Sequence, residues 1–275
     1  MIRDITLGQY YPAKSIIHRL DPRVKLVTTI LFIISLFVAK GFWGYAMATV
    51  FLAAVVKASK VPFGYITKGL KAIVMILLIT VSFNLFLVDG DVELWRFGFL
   101  RITDKGIRTA VYMAVRLIYL IIGSSVMTLT TTPNDLTDGL EALLGPLKRL
   151  RVPVHEIAMM MSIALRFIHI LLEETDKIMK AQIARGADFE SGNLIRKAKA
   201  MVPLLVPLFI SAFRRANDLA MAMEARCYHG GDGRTRMKPL RYVSRDRTAY
   251  AAAWGYLLLV IAVTWAEGWY GVALL

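Results

Sequence analysis

The sequence predicts an all-α, polytopic integral membrane protein with about five transmembrane helices and a long helical region in the cytoplasm. The first observation is composition: the chain is 57% hydrophobic, with a mean hydropathy of +0.55, whereas soluble domains are about 45–50% apolar. The second is a set of five apolar runs that approach the ~20 residues needed to span a bilayer. The third is a charged stretch, residues 131–248, which separates the fourth run from the fifth.

The net charge of +14 comes from 34 Lys and Arg against 20 Asp and Glu. In a soluble protein this excess would favour a nucleic-acid partner. Here the basic residues alternate with membrane-length apolar runs, and such residues collect in the cytoplasmic loops of membrane proteins. We therefore expect the lipid bilayer, and no nucleic acid, as a partner.

Residues 1–130 are predicted to form an N-terminal membrane part. Asp21 is placed to cap a helix that has Pro22 at its first position. A basic loop, residues 57–71, follows the second apolar run and contains no acid. The four predicted spans lie near residues 24–39, 42–56, 72–88 and 106–129.

The fifth predicted span, residues 249–275, contains no Lys or Arg. The basic segments at 1–25, 57–71 and 131–248 all lie on the same side if every span crosses the membrane once. Because basic loops stay in the cytoplasm, the pattern predicts a multi-pass protein with its N-terminus inside and its C-terminus outside.

Within residues 131–248 the sequence predicts helices near 134–145, 154–186 and 194–228. The second has a polar stripe at helical spacing, and Gly186 is placed to end it in a left-handed cap. The third is expected to end near residues 227–231, with Gly230 and Gly231 as the stop signal. The polar stripe consists of Ser162, Arg166, His169, Glu173, Asp176 and Lys180.

Both long helices finish in an Ala-Arg pair, which we call the two tips: Ala184-Arg185-Gly186 and Ala225-Arg226-Cys227. A structural interpretation is that each arginine neutralises its helix dipole, worth about 0.3–1 kcal/mol. A docking interpretation is that a small Ala admits a partner closely while Arg makes forked hydrogen bonds to it. The pairing of the tips favours docking on a two-fold or pseudo-two-fold partner. Since Cys227 stands where the first tip has Gly186, the sequence leaves the turn after Arg226 open, and we expect the two arginines to contribute unequally.

Two polar residues lie within predicted spans. Arg116 would place a charge inside the membrane, which costs free energy unless the side chain faces other helices or has a partner. Asn84 is a candidate for a hydrogen bond between helices. Both are possible structural or functional residues inside the membrane.

The motifs give no sign of catalysis, a cofactor or a metal site. The four histidines have no ligand spacing with Cys, Asp or Glu. The segment nearest to a phosphate-binding loop, residues 64–71, has Leu70 where the pattern requires Lys. We expect no ATP binding by this chain and conclude that any energy input comes from a partner.

Four segments give the chain its resemblance to a known family, and the resemblance covers essentially its whole length. They are His18-Arg19-Leu20-Asp21-Pro22-Arg23-Val24-Lys25, Ala184-Arg185-Gly186, Glu224-Ala225-Arg226-Cys227-Tyr228 and Gly233-Arg234-Thr235-Arg236-Met237. With these the chain resembles the transmembrane T component of energy-coupling factor transporters, the group related to CbiQ.

This resemblance implies a non-catalytic scaffold in the plasma membrane of a prokaryote. It implies that two coupling helices place the tips in grooves of two ABC-type ATPase subunits, identical or different. It also implies a separate membrane-embedded S component that captures a vitamin or related micronutrient. By position, Arg185 and Arg226 become the ATPase-docking residues; Cys227 departs from the glycine of the family pattern.

Three alternatives stay open. The first is the membrane subunit of a dedicated cobalt or nickel importer, which has the same architecture. The second is a membrane enzyme, which would need more polar residues among the spans than Arg116 and Asn84. The third is a membrane anchor for a partner unrelated to transport.

Overall fold

The computed structural model describes residues 10–88, 93–97, 100–189, 193–231, 237 and 239–269. These residues form eight α-helices, a two-stranded antiparallel hairpin and one 3-10 helix, which confirms the predicted all-α membrane class. The elements are α1 (Pro22–Val38), α2 (Phe42–Ser59), α3 (Phe63–Leu87), β1 (Glu93–Phe97), β2 (Leu100–Thr103), α4 (Asp104–Thr130), α5 (Pro133–Leu144), the 3-10 helix (Gly145–Leu150), α6 (Val154–Ala184), α7 (Leu194–Glu224) and α8 (Ser244–Trp269).

The chain divides into two compact units. The membrane unit comprises residues 8–139 and 240–275 and holds α1 to α4 and α8. In it α3 packs along α4, while α1 contacts α8 and α4. The helical unit comprises residues 140–239 with α6 and α7, and His155 Nδ1 lies 3.0 Å from Glu141 Oε1 at the start of α6.

An aromatic stack fills the centre of the membrane unit. The rings of Phe51 and Tyr256 lie 4.1 Å apart between α2 and α8, and Phe32 of α1 stacks on Phe51 at 6.0 Å. The hydroxyls of Tyr256 and Ser35 are 2.9 Å apart. Because stacked aromatic pairs add to simple burial of apolar area, this cluster joins the three helices.

The start of α1 confirms the predicted cap. Asp21 is the N-cap residue, Pro22 takes the first helical position, and Asp21 Oδ1 accepts a 2.9 Å hydrogen bond from the Arg23 backbone N–H. Proline at this position costs no hydrogen bond, because the backbone N–H that it lacks would have no partner in the first turn of a helix.

Asp246, which is 3% exposed, connects α8 to the start of α1. Its Oδ2 accepts from the Val243 N–H at 2.8 Å and so caps its own helix, while Oδ1 accepts from the Asp21 N–H at 3.0 Å. Arg23 adds a second connection, since its Nη2 donates to the Leu240 carbonyl at 2.8 Å. Its guanidinium also lies 4.5 Å from the centre of the Tyr242 ring. Burial of Asp246 is possible because each of its carboxylate oxygens accepts a hydrogen bond. Arg23 Nε makes no hydrogen bond, but it lies 3.3 Å from Asp21 Oδ1 in an ion pair.

Lys25 connects the same turn of α1 to the end of α4. The residue is 6% exposed, and its Nζ donates to the Thr130 carbonyl at 2.7 Å and to the His18 carbonyl at 3.2 Å. His18 Nε2 donates to the Tyr11 carbonyl at 2.9 Å, which leaves Nδ1 to accept from the Ser15 hydroxyl at 2.7 Å. Burial lowers the pKa of His18 below its ordinary value of 6.5. This packing of the neutral ring is therefore most stable above that pH and weakens as the pH falls.

One expectation for the loops was wrong, and one element was missed. The basic stretch 57–71 is not a loop, because α2 continues to Ser59 and α3 begins at Phe63, well before the expected start at residue 72. The basic residues extend the helices beyond the apolar core, as lysines do at a membrane surface. The hairpin of β1 and β2 before α4 was not expected from the sequence. Asp89 and the neighbouring acid Asp91 lie outside the described residues.

By length and hydropathy, four of the described helices are able to cross a membrane: α2, α4, α6 and α8. A fifth is α3 if its two parts, which meet at a bend of 60°, form one span. This set differs from the predicted one. It includes α6, and it omits α1, which has only 17 residues, at the lower limit of a span. The side of the membrane on which each loop lies stays a prediction.

We predict that Lys25→Met destabilises the membrane unit by roughly 2 kcal/mol, because it removes the donor from the buried Thr130 carbonyl and from the partly buried His18 carbonyl. Thermal unfolding of the purified protein in detergent should show a melting temperature lower by roughly 4–8 °C. Lys57→Met, at an exposed position near the end of α2, is the matched control. Equal melting temperatures for the two variants would contradict this role of Lys25.

Candidate functional site

The candidate site consists of the two tips, which stand at the ends of α6 and α7. Each helix has 31 residues and is therefore roughly 46 Å long. Five of the six residues in the predicted polar stripe of α6 are exposed, and Asp176 is half-buried. The apolar residues of the neighbouring face, such as Phe167 and Leu171, are half-buried. Amphipathic spacing thus sets which face of α6 meets α7.

The first tip ends α6 in a Schellman motif. The Ala187 N–H donates to the Gln182 carbonyl at 3.0 Å, and the Gly186 N–H donates to the Ile183 carbonyl at 2.9 Å. Gly186 has φ +87°, so the predicted left-handed cap is confirmed. Glycine suits this position because side chains with a Cβ rarely adopt that conformation.

The second tip ends α7 in the same way. The Tyr228 N–H donates to the Met223 carbonyl at 3.0 Å, and the Cys227 N–H donates to the Glu224 carbonyl at 2.9 Å. Cys227 has φ +56° and occupies the place of Gly186. The helix therefore stops at Glu224, four residues before the predicted end near residue 228.

The turn after Arg226, which the sequence leaves open, is the same as the turn after Arg185. Both tips form the same pair of backbone hydrogen bonds, and both place a left-handed residue directly after the arginine. A left-handed residue other than glycine costs about 1–2 kcal/mol. The second tip thus has the backbone of the first, but at a conformational cost.

Arg185 and Arg226 hold equivalent positions directly before the left-handed residue. All six residues of the two tips are exposed. In the part of the chain that the structure describes, neither guanidinium makes a hydrogen bond or ion pair within the chain. Each arginine therefore presents its donors to solvent beside the negative end of a helix dipole.

Arg116 and Asn84 lie in the membrane unit, away from the tips along the chain. Arg116 Nε donates to the buried Tyr45 hydroxyl at 2.9 Å, and its guanidinium lies 5.3 Å from the centre of the Phe37 ring. Arg116 therefore connects α4 to α2 and α1 without an ion pair among the described residues. The Asn84 side-chain nitrogen donates to the Thr80 carbonyl of its own helix at 2.8 Å, so its predicted role between helices stays a prediction.

Two other segments singled out in the sequence cannot be placed in the fold. The segment Gly233-Arg234-Thr235-Arg236 lies outside the described residues, as does the end of the predicted fifth span at 270–275. Within the described ranges, no three His, Cys, Asp or Glu side chains converge in a way that suits a metal ion.

Sequence reasoning missed Glu174, which contacts Ser211 and Arg215 of α7. The polar stripe pointed instead to Glu173, which is exposed. Two adjacent glutamates on a helix face directions about 100° apart. Because Glu173 belongs to the exposed stripe, its neighbour Glu174 must face another direction, and this was the available sign that Glu174 contacts another helix.

The family model described as CbiQ, cobalt transport protein, matches residues 13–238, a range that contains both tips and the Asp21 cap. The chain is 56% identical over 272 residues to an energy-coupling factor transporter transmembrane protein EcfT of Clostridium kluyveri, covering 98% of this chain and 100% of that protein. A Bacillus subtilis protein of the same name is 48% identical over 246 residues, covering 90% of this chain and 93% of that protein. One from Lactococcus lactis is 41% identical over 266 residues, covering 97% and 99%. The chain therefore belongs to the CbiQ family and is a transmembrane component of energy-coupling factor transporters.

Proposed function

We propose that this chain is the scaffold through which two cytoplasmic ABC-type ATPase subunits drive substrate uptake by a membrane-embedded S component. The observation that carries the proposal is the equivalence of the two tips. Two exposed arginines, each at the end of a long helix, share one backbone geometry although their sequences differ. Such a pair fits a partner that offers the same binding groove twice.

In this proposal the ATPases supply the chemistry and this chain transmits the movement. Ala184 and Ala225 lie directly before the arginines, and both are exposed. A methyl side chain there lets a groove close around the helix end, while Arg185 and Arg226 bond to carboxylates or carbonyls inside it. The six tip residues, including Gly186 and Cys227, are the proposed ATPase-docking site.

We further propose that the protein lies in the plasma membrane of a prokaryote, with its N-terminus in the cytoplasm and its C-terminus outside. The basic residues near α1 and at the junction of α2 and α3 support this orientation. We assign five spans to α1, α2, α3, α4 and α8, and a cytoplasmic location to α6 and α7. The apolar first half of α6 explains why this helix is also long and apolar enough to cross a membrane.

The substrate is a second question, and the family description supports one alternative. Because the matching family is described by cobalt transport, a dedicated cobalt or nickel importer is the second candidate. The relatives are named as energy-coupling factor components, and we propose the vitamin-type importer from the resemblance to that family. Uptake of labelled vitamins and of labelled cobalt by cells that express the complex would separate the two, since each predicts a different cargo.

We predict that Arg185→Glu with Arg226→Glu lowers co-purification of the ATPase subunits at least about 10-fold, because each reversal opposes a charged groove. The measurement is pull-down of the cell's own ATPase pair on the tagged full-length chain. The matched control is Arg166→Glu with Arg214→Glu, which reverses two exposed arginines of the same helices away from the tips. Unchanged recovery with the tip variant would show that docking lies elsewhere.

We predict that Cys227→Gly stabilises the second tip by about 1 kcal/mol, since glycine tolerates the left-handed conformation. The expected gain in melting temperature is roughly 2–4 °C. Cys227→Val should have the opposite effect because a branched side chain tolerates this conformation poorly. Cys227→Ser serves as the size-matched control and should leave the melting temperature unchanged. A valine variant as stable as the natural chain would refute the assigned turn.

We predict that a reporter active only in the cytoplasm stays silent when it is fused after Leu275. The same reporter fused before Met1 should be active, which controls for expression and insertion. Activity at both ends would mean an even number of spans and would contradict the proposed orientation.

A further inference from the structure

The two long helices of the helical unit run antiparallel. The Gln182 side-chain nitrogen of α6 lies 3.4 Å from the Pro203 carbonyl of α7. Ile163, near the other end of α6, lines the same groove as Met223, near the end of α7. Later residues of α6 therefore lie beside earlier residues of α7, and the two tips stand at opposite ends of the helix pair.

A polar cluster joins the helices between these points. The Ser211 hydroxyl of α7 donates to Glu174 Oε1 of α6. Arg215 donates to Glu174 Oε2 from Nη2 at 2.9 Å and from Nε at 3.2 Å. We call Glu174, Ser211 and Arg215 the clamp. Both carboxylate oxygens have donors, and hydrogen bonds that involve a charged group are the stronger kind.

Apolar packing between the helices is limited near the clamp. An open groove of about 320 Å³ separates them, lined by Phe167 and Leu171 on one side and Ala216 and Leu219 on the other. Of the side chains described on α6 and α7, only Val154, Ala158 and Leu204 are buried. Because little apolar area fixes the crossing, directional bonds have more influence on it than in a well-packed helix pair.

The clamp lies midway between the tips. Glu174 precedes Arg185 by eleven residues, and Arg215 precedes Arg226 by eleven residues. At the helical rise each arm is roughly 16 Å long, which places the tips roughly 33 Å apart along the pair. A rotation at the clamp would therefore displace both tips by the same distance.

We propose that the clamp is a positioning cluster that sets the separation of the two tips, so that both engage their partner at the same time. The proposal rests on the proposed docking function of the tips. Glu174 is its centre, because it is the acceptor for both residues of α7. None of the three clamp residues belongs to a tip, and each acts through Arg185 and Arg226.

The clamp should therefore affect binding through both tips at once and not binding through one tip alone. When one tip is bound, the second binds at an effective concentration that depends on how well the spacing matches the partner. A loosened crossing spreads the second tip over a larger volume and lowers that concentration. Loss of the clamp should therefore weaken binding to the paired ATPases while each tip keeps its own affinity.

The first test measures the tip separation without any partner. Spin labels are attached to Ala181→Cys and Ala222→Cys, two exposed positions that each lie four residues before a tip arginine. The full-length chain in detergent carries Cys227→Ser, since this cysteine is the single one in the sequence. Pulsed electron-spin distance measurements should give one narrow distribution for the intact clamp, and Glu174→Gln should broaden it at least about twofold.

The chain offers matched controls for both sides of the clamp. Glu173→Gln makes the same change as Glu174→Gln at a neighbouring exposed position, and Arg214→Gln neutralises the exposed neighbour of Arg215. Both should leave the distribution narrow. The exchange Glu174→Arg with Arg215→Glu should restore part of the narrowing, because it restores opposite charges. If Glu174→Gln fails to fold, Ser211→Ala removes a single hydroxyl and serves in its place. A distribution that stays narrow in the clamp variants would overturn the proposal.

The second test measures binding of the purified cognate ATPase pair and of one ATPase subunit alone. Glu174→Gln should weaken binding of the pair at least about 10-fold and leave binding of the single subunit unchanged. Equal losses for both would overturn the positioning role. If neither protein binds the natural chain while the distance distribution still broadens, the docking function fails and the clamp geometry stands.

Discussion

The architecture depends on the satisfaction of buried charges at the first turn of α1. Lys25 and Asp246 are almost fully buried, and each of them joins two distant segments by hydrogen bonds. A buried charge without such partners would cost several kcal/mol. These bonds therefore require α1, the end of α4 and the start of α8 to be in place together. Hydrophobic burial alone does not specify this arrangement, because lipid is as apolar as the helix surfaces.

The same turn of α1 governs where the chain leaves and re-enters the membrane unit. It leaves after Gly139, which packs so closely that an added Cβ would lie 2.9 Å from Pro22. It re-enters at Leu240, whose carbonyl accepts the Arg23 hydrogen bond. Within the membrane unit, the residues at both of these boundaries therefore contact adjacent residues of α1.

Much of the fold was predictable because bilayer length and amphipathic spacing leave few alternatives. The cap at Asp21 and the stop at Gly186 follow from local chemistry, and both are confirmed. The hairpin before α4 and the left-handed Cys227 were missed, since each depends on backbone geometry that composition does not reveal. Glu174 was missed for a different reason: its role depends on which residues of α7 lie opposite it, and a helical stripe carries no such information.

The exposure of Arg185 and Arg226, and their lack of bonds within the described part of the chain, favour a docking role over a purely structural one. Dipole neutralisation needs only a cation near the last turn and does not require the same Schellman geometry at both tips. The two guanidiniums make no bonds within the described part of the chain, so a partner would not have to break any to bind them. The remaining cost is the ordering of two long side chains, up to about 2 kcal/mol each. Because both tips belong to one helix pair, binding of the second tip costs no further translational or rotational freedom of the whole chain. This saving depends on the spacing of the tips, and for that reason the proposed docking involves the bonds of Glu174 as well as the arginines.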